Sequence, residues 1–228
     1  MGYYSSMVIL IPAIIFTFWA QLKVKSAFNK YSRVASLNGV TGAQAAQAIL
    51  QANGINVPIQ QISGSLTDNY NPRSKVLNLS QSVYGSNSVA AIGVAAHECG
   101  HAIQDTTGYG ALKFRNNFVP LANFGSNLAW PILIVGLMIP SQMGDTIFMV
   151  GVLLFCLTVV FHLVTLPVEL DASRRALKNL EELGLVTDKS EYNGAKRVLK
   201  AAAMTYLAAL AMAVANLLRI LAMRNNRR

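Results

Sequence analysis

The sequence predicts a mainly α-helical membrane protein, with three to four transmembrane helices and a small α+β domain. Three observations carry this prediction. Only 13% of the 228 residues are charged and 53% are hydrophobic, whereas a soluble domain carries about 25% charged residues. The charges also leave long gaps: residues 1–22, 116–144 and 146–168 contain no charged side chain. Between the first two gaps, residues 23–118 show instead the mixed pattern of a folded domain with helices and a short sheet. High apolar content excludes a disordered chain. The net charge of +9, in so apolar a chain, reads as loops held on the cytoplasmic side of a membrane and not as a nucleic-acid surface. The two cysteines, Cys99 and Cys156, lie in apolar helical surroundings and form no disulfide framework.

The first predicted span is 7–22. It lacks a basic n-region and a small-residue cleavage site, so it reads as an anchor and not as a removable signal peptide. Met1-Gly2 with Ser6 also fits a short myristoylation pattern. Residues 23–118 form the predicted cytoplasmic-side domain. Thr41 and Gln44 make a capping box opening a helix that Gly54 stops after about Ala52. Ile55–Ile62 reads as a strand, Asp68–Pro72 as a turn and Lys75–Ser80 as a second strand. Ser86 and Ser88 supply N-cap residues for a helix over about Val89–Gln104. Residues 119–168 form a predicted hairpin of spans, about 121–139 and 146–168, joined by the polar turn 140–145. Pro120 and Pro131 are possible kinks, which buried membrane helices tolerate. Residues 169–200 return to the cytoplasmic side, and the apolar run 201–223, broken by Asn216 and Arg219, is the fourth candidate span. Eight basic residues fall in 23–115, seven in 169–200 and four from Arg219 onward. The positive-inside rule puts the first two groups in the cytoplasm. A fourth crossing would carry Arg224, Arg227 and Arg228 outside, against that rule, so the count stays at three or four.

Within the Val89–Gln104 helix stands His97-Glu98-Cys99-Gly100-His101. Two His at i and i+4 share one helical face, so their imidazoles can converge on one zinc ion. Glu98 is placed to act as general base on a zinc-polarised water. Cys99 points off that face and reads as a packing residue. A catalytic zinc needs a third protein ligand. His162, Glu169 and Asp171 are candidates, His162 reading more readily as a buried packing residue. Glu169 and Asp171 stand where the third span ends, and acids against a bilayer usually have a function. Their plain alternative is the first turn of a helix, favoured by the macrodipole, with Arg174 and Arg175 as solvated charge.

An H-E-x-x-H helix followed far downstream by E-x-x-A resembles the gluzincin membrane proteases, such as the heat-shock HtpX and CAAX-prenyl protease types. The resemblance implies a zincin-like catalytic domain, with Glu169 as third ligand and Ala172 in the Ala position. Ser173 occupies the place of the family's Asp, which orients a ligand His there; Asp171 or Asp105 is left to serve instead. More closely, the chain resembles small bacterial membrane zinc metallopeptidases of the YugP type, through Asp68–Ser80, Ala95–Gln104 and Leu166–Ser173. Leu170-Asp171-Ala172 also resembles, weakly, the L-D-G motif of site-2 intramembrane proteases, which would make Asp171 the ligand. The H-E-x-x-H helix is too short to span, against that comparison.

The expected protein is therefore an integral membrane zinc metalloprotease of the bacterial plasma membrane, with its catalytic domain on the cytoplasmic side. It holds Zn²⁺ on His97, His101 and Glu169, uses Glu98 as base, and cleaves peptides or membrane proteins at a lipid bilayer. No nucleic-acid partner is expected, and the oligomeric state is left open. The alternatives are a site-2-like intramembrane protease, a non-enzymatic protein with a structural zinc, or a transporter with a chance motif. The Lys75–Ser80 strand is a candidate peptide-binding edge. Tyr70, Arg174, Arg175, Tyr192 and Tyr206 are candidate oxyanion donors.

Overall fold

Long apolar stretches dictate most of the secondary structure, because a chain in lipid must satisfy its backbone polar groups internally. The fold, a computed structural model, describes residues 3–225. Met1 and Gly2 of the myristoylation pattern, and Arg227 and Arg228 of the basic tail, lie outside those residues. In chain order the elements are α1 (Tyr3–Val8), α2 (Ile11–Tyr31), α3 (Gly42–Ala52), β1 (Ile59–Ile62), β2 (Asn69–Asn71), β3 (Val76–Ser80), α4 (Gln81–Tyr84), α5 (Val89–Thr106), α6 (Gly110–Met138), α7 (Gln142–Glu182) and α8 (Lys189–Asn225). Four helices among the described residues are long and apolar enough to cross a membrane: Ser6–Tyr31, Gly110–Met138, Gln142–Glu182 and Lys189–Arg224. The fold class is thus a mainly α membrane protein with a small sheet.

The chain divides into two compact units. The first comprises Met1–Trp19, Lys113–Pro167 and Thr205–Arg228. Its core is Ala129, Leu133, Phe148, Val152, Phe155 and Ile220. Helices α6 and α7 pack closely through glycines: a Cβ on Gly136 would lie 2.5 Å from the Phe148 nitrogen, and one on Gly151 would lie 2.7 Å from Leu133 Cγ. Small residues at such contacts are how membrane helices approach one another. Pro120 and Pro131 both sit inside α6. The predicted turn over 140–145 is shorter than expected, since α7 already begins at Gln142 and Asp145 occupies its first turn. The Asp145 N–H bonds to the Ser141 carbonyl, so the polar residues open the helix and are not a loop.

The second unit comprises Ala20–Leu112 and Val168–Met204. Its core gathers Ile49, Leu77, Leu79, Ile92 and Leu180, all fully buried. Helix α5 is buried along most of its length, and the Ser88 hydroxyl caps it by accepting from the Ala91 N–H. The capping box of α3 forms as expected: the Gln44 N–H donates to Thr41 Oγ1 at 3.3 Å, and the Thr41 N–H donates to Gln44 Oε1 at 2.9 Å.

The sheet differs from the sequence expectation in three ways. The first strand starts at Ile59 and not Ile55, because Pro58 lacks a ladder donor. The supposed turn 68–72 contains the three-residue strand β2, whose central Tyr70 alone is buried. Three residues are too few for alternation to register in the sequence. Finally, β3 is the middle strand, parallel to β1 and antiparallel to β2. Both of its edges are therefore paired, which corrects the expectation that the Lys75–Ser80 strand offers a free edge to a peptide. A further correction concerns Glu169 and Asp171. They lie deep inside the 41-residue α7, so they have no helix N-terminus to stabilise them.

The capping box makes a testable contribution. Thr41→Ala should cost about 1 kcal/mol, read as a lowered thermal midpoint of the purified protein, whereas Gln51→Ala, at an exposed position of the same helix, should not shift it as far.

Candidate metal centre

Helical geometry puts His97 and His101 one turn apart on α5, with their rings edge to face at 4.8 Å between centroids. The remaining component arrives on α7. The two backbones touch at Gly100: a Cβ there would lie 2.4 Å from the Ala172 carbonyl oxygen, closer than real Cβ atoms approach. Ala172 is itself fully buried. Glu169 lies three residues before Ala172, on the same helical face, and its carboxylate is carried to the imidazoles. Glu169 Oε2 is 3.2 Å from His97 Nε2 and 3.5 Å from His101 Nε2. Among the described residues, the donor atoms of His97, His101 and Glu169 all lie within 4.8 Å of one another.

These donors fit zinc. Tetrahedral coordination with bonds of about 2.0–2.1 Å places ligand atoms ~3.3–3.4 Å apart, and the two Nε2–Oε2 separations bracket that spacing. Two imidazoles and one carboxylate are a donor set of catalytic zinc sites, which leave a position open. The other imidazole nitrogens are also engaged, as ligand histidines require. His97 Nδ1 is 3.2 Å from Ser173 Oγ, and His101 Nδ1 is 3.0 Å from Gln104 Oε1. Ser173, standing where the resembled family has Asp, thus reaches a candidate ligand with a hydroxyl. Neither substitute carboxylate takes that place. Asp105 accepts from the Tyr70 hydroxyl and Lys75; Asp171 accepts from Arg174, Arg175 and Gln104.

Glu98 is buried. Its Oε2 accepts the backbone N–H of Tyr70 at 2.9 Å, so β2 anchors the carboxylate from the sheet side. Tyr70 spans the site twice, because its hydroxyl donates to Asp105, 2.6 Å away on the same helix. The same burial and the adjoining Asp105 carboxylate push the Tyr70 phenol well above its ordinary range. Burial alone would lower the proton affinity of His101. Its hydrogen bond to Glu169 and the charges of Glu98 and Glu169 outweigh that, and its pKa is raised. The carboxylates therefore give the cluster the negative potential a cation requires.

The remaining candidates are placed elsewhere. Cys99 is buried, with its Sγ 3.6 Å from the Ala46 carbonyl; burial, then the charge of Glu98, raise its thiol pKa, and it packs as expected. His162 and Tyr206 belong to the other unit. Of the oxyanion candidates, Tyr70 donates to Asp105, both arginines donate to Asp171, and Arg175 also stacks over Tyr109 at 5.7 Å. The Tyr192 ring lies 5.9 Å from the Lys196 ammonium. Sequence reasoning missed two contributors, Gln104 and the Tyr70 backbone. The first had a signal, since Gln104 is three residues after His101 on one helical face. The second had none, because any residue supplies an N–H.

Residues 6–225 match the family described as "Putative neutral zinc metallopeptidase". The chain is also 44% identical over 210 residues to a curated protein of Bacillus subtilis (strain 168), "Putative membrane protease YugP", with 92% of each chain covered. No solved structure matches.

The contact at Gly100 predicts a sharp steric sensitivity. Gly100→Val should separate α5 from α7, cost about 1–3 kcal/mol of stability and abolish stoichiometric zinc in metal analysis. Gly85→Ala, where a Cβ meets nothing within 4 Å, should retain it.

Proposed function

The chain belongs to this family of neutral zinc metallopeptidases, and on that premise we propose that it is an integral membrane endopeptidase that uses His97, His101 and Glu169 as its zinc ligands and Glu98 as its general base. The observation that carries the reading is that Glu169 Oε2 stands 3.2 Å from His97 Nε2 and 3.5 Å from His101 Nε2, separations close to the edge of a zinc tetrahedron. Zinc, when bound, supplies a Lewis acid that polarises a peptide carbonyl and lowers the pKa of a water. The protein supplies the rest. Glu98 Oε2 is held by the Tyr70 N–H, which leaves Oε1 to take a proton from the attacking water and return it to the leaving amine. Ser173 and Gln104 hold the two imidazoles from behind.

Glu169 is favoured over Asp171 as third ligand by the same geometry. Asp171 directs its oxygens to Arg174, Arg175 and Gln104 and is absent from the His–His–Glu group. This also weighs against the site-2-like reading. A structural zinc takes four protein ligands, whereas the group among the described residues has three. The apolar helices in the same chain favour membrane or membrane-proximal polypeptides as substrates. The basic residues of 23–115 and 169–200 favour a cytoplasmic catalytic domain.

Glu98→Gln should bind zinc as the parent does and lose about 10²–10⁴-fold in peptidase rate, measured on a fluorogenic peptide and a membrane-protein substrate; undiminished cleavage would overturn the mechanism. Glu169→Ala should lose zinc, and Asp171→Ala should still bind it at saturating metal. The reverse result would move the third ligand to Asp171.

A further inference from the structure

Gln104 is a polar side chain with no exposed surface, and its amide has partners on both sides. Nε2 is 2.8 Å from the Val168 carbonyl oxygen and 3.0 Å from Asp171 Oδ2, while Oε1 is 3.0 Å from His101 Nδ1. A glutamine amide has two orientations related by a flip, and here the partners choose between them. The Val168 oxygen only accepts. So does Asp171, a carboxylate that receives the guanidinium groups of Arg174 and Arg175. Turned the other way, Oε1 would face two acceptors in a buried place, and the NH₂ would face the histidine. The amide NH₂ is thus held against α7, and the amide oxygen is held against His101.

That orientation has a chemical consequence. An acceptor beside Nδ1 requires an N–H there, and a neutral imidazole has one proton to place. Nε2, the nitrogen beside Glu169, is then the one that can offer its lone pair to an ion bound there, in place of the proton it shares with that carboxylate. We infer that Gln104, oriented by the Val168 carbonyl and Asp171, is a positioning residue that fixes His101 as its Nδ1–H tautomer and presents Nε2 to the metal. The inference rests on the proposed ligand role of His101. It gives Asp171, the rival ligand, a different role, because Asp171 then acts through Gln104 without touching the ion. His97 is treated differently. Its Nδ1 meets the Ser173 hydroxyl, which can donate or accept and so imposes neither tautomer.

With three histidines in the chain, the experiment is ¹⁵N NMR of the full-length, detergent-solubilised, metal-free protein, labelled only in its imidazoles. It is run in a Glu169→Ala background, because the Glu169 carboxylate, 3.5 Å from His101 Nε2, would otherwise hold a proton on that nitrogen. Signals are assigned by removing one histidine at a time, at a pH where all are neutral. The expected result is a protonated Nδ1 and a bare Nε2 at His101. Gln104→Met in that background should return the proton towards Nε2, its preferred place in free imidazole, and in the chain that keeps Glu169 it should lower zinc affinity about 10–100-fold in chelator competition. Should Gln104→Met not fold, Gln104→Ala carries the test. A His101 proton on Nε2 while Gln104 is present, or a tautomer unmoved by its substitution, overturns the inference. A tautomer that responds, in a protein whose Glu169 form does not bind zinc, overturns the functional reading alone. Zinc bound by that form with the tautomer unmoved overturns this inference alone.

Discussion

The site depends on the contact between the backbones of α5 and α7 at Gly100 and Ala172. Without a side chain at Gly100, the Ala172 carbonyl can enter the space a Cβ would fill. The site residues bracket this contact with the same offsets on both helices. His97 and His101 stand three before and one after Gly100; Glu169 and Ser173 stand three before and one after Ala172. One close crossing therefore delivers both imidazoles, the carboxylate and the hydroxyl behind His97. Packing interiors behave as a jigsaw, so a shift of an ångström here would separate donors that must lie within a few ångströms.

Burying so many polar groups in a charge-poor chain requires that each find a partner. The second unit meets this requirement with few acids. Glu98 is held by a backbone N–H from β2, Asp105 by Tyr70 and Lys75, and Asp171 by two arginines and a glutamine. Glu191, also buried, holds the N–H groups of Leu37 and Thr187 and so ties two loops together. The cost of burying such charges is large unless they are paired, and each of these carboxylates has such partners. The first unit, by contrast, is assembled from apolar side chains and glycines, as helices in lipid are.

Much of this was legible in the sequence because local chemistry suffices for it. The spans follow from length and apolarity, and the α3 capping box and the Ser88 cap follow from contacts three residues apart. The H-E-x-x-H pairing follows from the helical repeat. The errors that bear most on the site involve what lies beyond the local sequence. Nothing local distinguishes the three residues of β2 from a turn until Leu77 pairs with Tyr70. Glu169 and Asp171 look like the start of a helix until α7 is seen to run through them without a break. Gln104 reads as an ordinary helical residue until Val168 and Asp171 come to lie beside its amide.

The scarcity of charge and its distribution along the chain determined, without any coordinates, that this is a membrane protein, and the H-E-x-x-H pattern marked one helix as a candidate metal site. With so few acids and histidines, the candidates for a third ligand also came down to His162, Glu169 and Asp171. Glu169 and Asp171 differ by two positions, and no local property separates them, since both are carboxylates after an apolar run. Only the tertiary structure assigns them different surroundings. The crossing at Gly100 turns one helical face of α7 towards the histidines, and two residues further round the helix the other carboxylate meets arginines and an amide. A helix rotates by about 100° per residue, a consequence of 3.6 residues per turn, so which carboxylate faces the two histidines depends on where the helices touch.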